Sequence, residues 1–239
     1  MTLNIVIPMA GNGSRFSQAG FLTPKPFIDI KGKPMILRVI ENLNFIGKYI
    51  FIVKSEHYIE YDLENLFSKI GLNYEIIQVD KPTEGTVCSV LLAKKLINND
   101  QSLIIANSDQ FLEWDPDKFL KVCKDSDACI STFLATGNKW SYVKLNDFGL
   151  VDQVAEKNPI SQIATTGIYF WKYGKDFVKY AEQMISKNIR VNNEFYVCPV
   201  FNEAILDNKK IRISFCDKMW GLGTPEDLYM FTNQYYTNV

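Results

Sequence analysis

The sequence predicts an α/β fold: an open, mostly parallel sheet with helices on both faces, extended by antiparallel strands in its second half. In the first half, short apolar runs near 3–8, 49–54, 74–79 and 102–106 alternate with helical-period segments near 34–45, 58–70 and 86–97. Alternation of that kind builds strand–helix–strand units. After about residue 128 the runs become short and alternating: Ile130–Leu134, Tyr142–Leu145, Leu150–Val154 and Ile163–Trp171. Gly137, Asn146-Asp147 and Asn158-Pro159 interrupt them, which is the signature of antiparallel strands joined by turns. A hydrophobic content of 47% over 239 residues, 13% of them aromatic, is enough for a large packed core.

In chain order, Ile5-Val-Ile7 is a buried strand that gives way to Pro8-Met-Ala-Gly-Asn-Gly-Ser-Arg-Phe16, and then to Thr23-Pro-Lys-Pro-Phe27. Helices return near 174–187 and 195–207. The last helix has a defined start, with Thr224 as N-cap, Pro225 in the first turn and Asp227 at capping-box spacing. No linker, repeat or low-complexity segment divides the chain, so 1–239 reads as one domain. In an open parallel sheet, ligands sit outside the carboxyl ends of the strands. The loops after the strands ending near 8, 79 and 106 are therefore expected to meet at one crevice.

The net charge of −1 carries no footprint of nucleic-acid binding. No basic amphipathic stretch, spanning segment or signal peptide is visible, so neither a membrane nor a nucleic acid is expected as partner, and the cytoplasm is the expected location. Five cysteines without Cys-x-x-Cys spacing argue against a disulfide framework or a structural zinc site. The single histidine, His57, excludes a multi-histidine metal site, and its place after Glu56 at the start of an expected surface helix predicts a solvated side chain. A homo-oligomer is compatible with the composition, which does not specify one.

The opening loop has the parts a triphosphate needs. Gly11 and Gly13 let backbone N–H groups approach phosphate oxygens, Arg15 can fork onto two of them, and Lys25 is restricted by Pro24 and Pro26. The loop is not a Walker P-loop, because Gly13 is followed by Ser14-Arg15 rather than Lys-Ser/Thr. Nor is it a dinucleotide fingerprint, because Phe16 stands where a small residue is needed and the second strand ends at Lys54. At the end of the strand Leu103-Ile-Ile-Ala106 comes Asn107-Ser108-Asp109-Gln110. A carboxylate there is a ready Mg²⁺ ligand, although a turn aspartate is an equal reading from position alone.

The order and spacing of Gly11, Gly13, Arg15, Lys25 and Lys33-Pro34-Met35-Ile36 resemble the sugar nucleotidyltransferases, the nucleoside-triphosphate:sugar-phosphate pyrophosphorylases. The likeness runs through most of the chain and is strongest over 5–36, 102–110 and 220–229. It implies a three-layer, Rossmann-like sheet of the nucleotidyltransferase (GT-A-like) type. Residues 1–127 would be the nucleotide-binding half and 128–239 the acceptor-binding half. The catalytic pair would be Arg15 and Lys25, and Ala10, Gly11, Asn12 and Gly13 would hold the nucleotide. Asp80-Lys-Pro-Thr-Glu84-Gly85-Thr86 resembles the loop around the nucleobase. Asp80 stands where a glutamine is common, and a carboxylate accepts from the amino group of cytosine but not from O4 of uracil or thymine, which favours CTP; an aspartate that simply begins a turn is the alternative.

Glu156-Lys157 resembles the family's acceptor-contacting pair. Thr166-Gly167-Ile168-Tyr169 resembles its Asn-Gly-Ile-Tyr strand, with Thr166 in place of an asparagine that commonly serves a sugar. Arg190 and Glu194 fall near its Arg/Glu acceptor region. Asp109 would hold Mg²⁺. The family's second carboxylate, within Trp-x-Asp-x-Gly-Thr-Pro, is replaced by Gly221, so either Asp109 and phosphates suffice or another carboxylate takes over, Asp217 being the nearest.

The chain also resembles bacterial capsule cytidylyltransferases of the CTP:phosphoglutamine type. That likeness implies transfer of CMP from CTP to a phosphorylated small molecule, with release of pyrophosphate, in capsule or surface-polysaccharide precursor synthesis. A sugar-1-phosphate thymidylyl-, uridylyl- or cytidylyltransferase is the alternative. A catalytically silent nucleotide-sensing subunit is the non-enzyme reading, and the missing carboxylate at Gly221 is what favours it.

Overall fold

The computed structural model describes residues 3–236; the expected domain bounds, 1 and 239, lie outside them. The first half comprises β1 (Leu3–Pro8), α1 (Ser14–Gln18), β2 (Asp29–Ile30), β3 (Lys33–Pro34), α2 (Met35–Leu43), β4 (Lys48–Lys54), α3 (Ser55–Glu60), α4 (Leu63–Ser68), β5 (Asn73–Val79), α5 (Thr86–Leu91), α6 (Lys94–Ile97), β6 (Ser102–Ala106), β7 (Gln110–Glu113) and α7 (Pro116–Lys124). The second half adds β8 (Ala128–Leu134), β9 (Ser141–Leu145), β10 (Val151–Glu156), β11 (Ile163–Trp171), α8 (Gly174–Ser186), α9 (Val200–Leu206), β12 (Ile211–Phe215), β13 (Lys218–Gly221) and α10 (Pro225–Gln234).

Nine strands form the main sheet. Its path runs β10-β9-β11-β6-β1-β4-β5, with β8 pairing β11 and β12. β6, β1, β4 and β5 are parallel, and β1 is the centre of that group, with Ile5 opposite Tyr49 on one side and Ile104 on the other. β1, β4 and β6 carry apolar runs buried on both faces, whereas β5, at the sheet edge, is only partly buried. Ile5, Ile7, Phe51 and Ile104 point into one cluster with α2, α4, α7 and α10, while Val6, Ile50, Ile52 and Ile105 point into a second with α5, α8 and α9. Alternate residues of one strand thus serve opposite cores, which makes the fold three-layered.

Several elements differ from the sequence-based expectation. The helix expected over 58–70 is broken into α3 and α4 where Asp62 takes a left-handed conformation, φ 43. The one expected over 86–97 divides after α5. The helix expected over 195–207 begins only at Val200, because the backbone around Phe195 bonds to the loop before α5: the Phe195 N–H donates to the Glu84 carbonyl (2.9 Å) and the Val87 N–H to the Phe195 carbonyl (3.0 Å). Not anticipated were α1, α7, the β7–β13 ribbon and β12, which joins β8 in parallel. His57 is buried, 5% exposed, rather than solvated, because α3 packs it edge-on against Phe27.

The chain runs from β1 to β4 and β5 on one side, then crosses to β6 on the other. The carboxyl ends of β1 and β6 therefore flank a topological switch point, where a crevice opens.

Candidate active site

Two cavities occupy that crevice. One, of about 310 Å³, lies under the glycine loop and includes Ala10, Gly11, Asn12, Lys25, Thr83, Gly85 and Ser89. The other, of about 260 Å³, is floored by β11 and β10 and includes Arg15, Gln110, Trp140, Glu156, Lys157 and Thr166. Thr86, Asn107 and Asp109 border both. Asp109 therefore stands at the junction.

Local sequence fixes the groups that converge there. Gly13 leads into α1, and Phe16, 1% exposed, anchors that short helix so that Arg15 faces the cleft. Pro24 and Pro26 hold Lys25 at the start of a 3₁₀ turn, and Phe27 fixes the turn by stacking on Tyr61 at 4.0 Å. Lys25 Nζ donates to Asp109 Oδ2 at 2.8 Å. The Asp109 loop is itself pinned, its carbonyl accepting from the Leu222 N–H at 2.8 Å. Gly223 approaches it so closely that a methyl group there would lie 3.0 Å from Asp109 Oδ2 and 3.9 Å from an Arg15 guanidinium nitrogen. Burial pushes the Asp109 carboxyl up, but the charge and hydrogen bond of Lys25, with the charge of Arg15, outweigh it and hold the group below its usual 3.8. Two cations around one carboxylate leave the junction positive, as an anionic ligand requires.

On the strand side, Lys157 Nζ donates to the Tyr196 hydroxyl at 2.7 Å. Glu156 accepts from the Ser141 hydroxyl, and burial raises its pKa against the opposing effects of Ser141 and Lys157. Lys139 Nζ donates to both carboxylate oxygens of Asp227 at 2.7 Å.

Of the residues expected from sequence, Arg15, Lys25, Ala10, Gly11, Asn12, Gly85, Thr86, Asp109, Glu156, Lys157, Thr166 and Gly167 all line the two cavities. Glu194, expected with the acceptor, lines the glycine-loop cavity instead. Gly13, expected with the nucleotide, lines neither cavity; a methyl group there would lie 3.4 Å from Lys25 Cβ. Asp80 is exposed, accepts from the Ser55 hydroxyl at 2.7 Å and borders neither cavity. Glu84 and Arg190 pair with each other, with Arg190 also 3.9 Å above the Phe195 ring, as a strut beside the cleft. Asp217 sits at the far end of the β7–β13 ribbon, where its N–H donates to the Glu113 carbonyl, while Gly221 at the near end faces Gln110.

The carboxylate that does come beside Gly221 is Asp227, whose Oδ2 would lie 3.5 Å from a methyl group placed there. Asp227 was legible only as a capping residue; its N–H does donate to the Thr224 hydroxyl at 3.2 Å, but its carboxylate turns to the cleft. Lys139, Trp140 and Tyr196 sit in loops without a motif, and nothing local to them signalled the site.

Residues 5–238 match the family described as Nucleotidyl transferase. The chain belongs to that family. The bifunctional protein GlmU of Methanocaldococcus jannaschii is 27% identical over 186 residues, which is 76% of this chain but 42% of that protein. The chain thus spans about two fifths of the length of this curated relative. A nucleoside-diphosphate-sugar pyrophosphorylase from Vibrio cholerae RC9 superposes with a TM-score of 0.85 at 26% identity, covering 96% of this chain and 100% of that one. A UDP-glucose pyrophosphorylase solved with UDP-glucose shares the fold, with a TM-score of 0.80 at 17% identity and 100% of both chains covered. Family membership and the Rossmann-like, mostly parallel sheet agree with the expectation drawn from the opening loop.

Proposed function

We propose that this chain transfers a nucleoside monophosphate from a nucleoside triphosphate to a phosphorylated small molecule and releases pyrophosphate, with residues 1–127 supplying most of the nucleotide site and 128–239 most of the acceptor site. The observation that carries this reading is the convergence of Arg15, Lys25 and Asp109 where the two cavities meet. In this reading the glycine-loop cavity takes the nucleotide, with the backbone of Ala10 to Asn12 toward the phosphates. The strand cavity takes the acceptor, against Glu156, Lys157, Thr166 and Gly167. An acceptor phosphate oxygen attacks the α-phosphorus in line. A new O–Pα bond forms, the bond from Pα to the bridging oxygen breaks, and pyrophosphate leaves with that oxygen. The acceptor phosphate is already ionised at neutral pH, so no general base is needed and catalysis reduces to positioning and charge neutralisation. Lys25 steadies charge at the α-phosphate, and Arg15, which lines the strand cavity beside Asp109, takes the leaving pyrophosphate from across the junction.

Among the described residues no three His, Cys, Asp or Glu side chains converge as a metal cluster. One carboxylate with phosphates and water is nevertheless a normal Mg²⁺ donor set, and Asp109 fits it, with Asp227 the next carboxylate. When bound, Mg²⁺ would neutralise charge on the triphosphate.

CTP is the first nucleotide to test, on the family likeness. Asp80 gives it no geometric support, since that residue turns to Ser55; backbone near Ala10 and Gly85, with the Thr83 and Ser89 hydroxyls, is better placed to read a base. For the acceptor, a sugar 1-phosphate is supported by the names of the relatives, and a phosphorylated amino acid such as phosphoglutamine by the capsule-enzyme likeness, which would place the reaction in capsule precursor synthesis in the cytoplasm. Pyrophosphate release should be measured with CTP, UTP, dTTP and ATP against both acceptor classes. Release with one nucleotide and one class is expected; none with any combination would leave the nucleotide-sensing reading instead.

A further inference from the structure

Much of the polar lining of the strand cavity is already partnered inside the chain. Lys157 bonds to Tyr196, Glu156 to Ser141, Lys139 to Asp227, Thr165 to Tyr169 and Thr166 to the Ser131 carbonyl. Gln110 is the lining side chain whose polar atoms are both buried and unpartnered. It is 1% exposed, and neither its side-chain nitrogen nor its side-chain oxygen has a hydrogen-bond partner. It lines the cavity one residue after Asp109. A buried amide with both ends unpaired is destabilising, and an apolar residue would fill the same space at less cost. The surrounding backbone is shaped to admit it. Gly167, at φ 85 on the floor strand, has no side chain, and a methyl group there would lie 2.9 Å from Gln110 Oε1 and 2.2 Å from Asn107 Nδ2.

We infer that Gln110 is a specificity-determining residue that reads the acceptor through its amide, and that the acceptor presents an uncharged donor and acceptor on neighbouring atoms. Either orientation of the amide offers one N–H face and one carbonyl face, so both are satisfied only by a ligand of that kind. An ammonium or a carboxylate in the same place would use one end and leave the other unpaired. Two sources share this chemistry, the vicinal hydroxyls of a phosphorylated sugar and the carboxamide of a phosphorylated amino acid. The inference rests on the nucleotidyltransferase reading above.

The test compares wild type with Gln110→Met, which keeps shape and removes both polar ends, and Gln110→Glu, which keeps the acceptor end only. Acceptors are sugar 1-phosphates with their deoxy analogues, and a phosphorylated carboxamide with the matching carboxylate. The expected result is a KM for the acceptor raised at least about tenfold in Gln110→Met, with the KM for the triphosphate within about twofold. The melting temperature of the free Gln110→Met protein should be unchanged or higher, since the amide has no internal partner to lose. In wild type, one acceptor class should lose efficiency on deoxygenation or on conversion of amide to carboxylate, and Gln110→Met should not distinguish that pair. An unchanged acceptor KM in both variants, or a lower melting temperature for Gln110→Met with acceptor kinetics intact, overturns the inference alone. No pyrophosphate release by wild type with any acceptor overturns the functional reading, and the inference with it.

Discussion

Lys25 and Asp109 are 84 positions apart and end 2.8 Å from each other because the turn held by Phe27 and the loop after β6 close on the same crevice. In the proposed reaction Arg15 and Lys25 are donors placed around the site of developing charge. Replacing either by Ala should lower turnover by about two orders of magnitude, the scale for losing one preorganised donor. Far-ultraviolet circular dichroism and melting should stay near wild type, since neither side chain packs in the core. For the metal, Asp109→Asn should weaken Mg²⁺ binding measured directly by titration, whereas Asp217→Ala should leave the same titration unchanged. Equal losses in both would restore Asp217 as a ligand. At this scale, legibility followed chemistry and distance. Arg15 and Lys25 were readable because they sit in the glycine- and proline-marked segment after β1, and Asp109 because it follows the end of β6. Asp80 and Arg190 look the same in sequence whether they face the cleft or turn to Ser55 and Glu84. Gln110 was invisible because its signal is the lack of a partner, which only packing reveals.

The α3 helix carries the one histidine into the core beside the Lys25 turn, with Phe27 and Tyr61 against its ring. Burial lowers the His57 pKa from 6.5, and Lys54 adds to this, while Glu56 and Glu60 oppose. A folded-state value below the unfolded one means that the unfolded chain binds the proton more readily. The stability His57 contributes is therefore full above about pH 6.5 and is lost as pH falls through its folded-state value. Melting temperature should fall more steeply between pH 7 and 5 in wild type than in His57→Leu; parallel curves would remove His57 as the cause. The Arg190–Glu84 strut ties the segment before α9 to the loop before α5. As a partly exposed ion pair it should contribute no more than about 1 kcal/mol. Arg190→Ala is expected to keep the acceptor KM within about twofold, and a large rise would mean that Arg190 reaches the acceptor. The parallel strands were legible as short apolar runs alternating with helices, and α2 and α8 because their apolar residues recur at helical period. β7 and β13 were not, because they are four residues each and are held by pairing with one another, which is a non-local fact. The interruption at Asp62 was equally hidden, since an aspartate in a left-handed conformation leaves no mark on the apolar pattern.

For the molecule as a whole, the sheet divides two cores, and its switch point beside β1 places one cavity on the glycine-loop side and one on the β11 side. In the proposed reaction their shared border at Asp109 is where an α-phosphate from one meets an acceptor oxygen from the other. Broad architecture was legible because alternating strands and helices leave few topologies open. The bend of β11 at Gly167, which pairs β6 on one stretch and β9 on the other, was not, because register comes from the partners. The central claim is bond cleavage between the α- and β-phosphates with transfer to a second substrate. The most direct measurement incubates the protein and Mg²⁺ with a phosphorylated acceptor and CTP labelled at either the α- or the γ-phosphorus. The account predicts that the α label enters an acceptor adduct, the γ label leaves as pyrophosphate, and the two appear in equal amounts; γ label in the acceptor, or label released only as hydrolysed nucleotide, would contradict it.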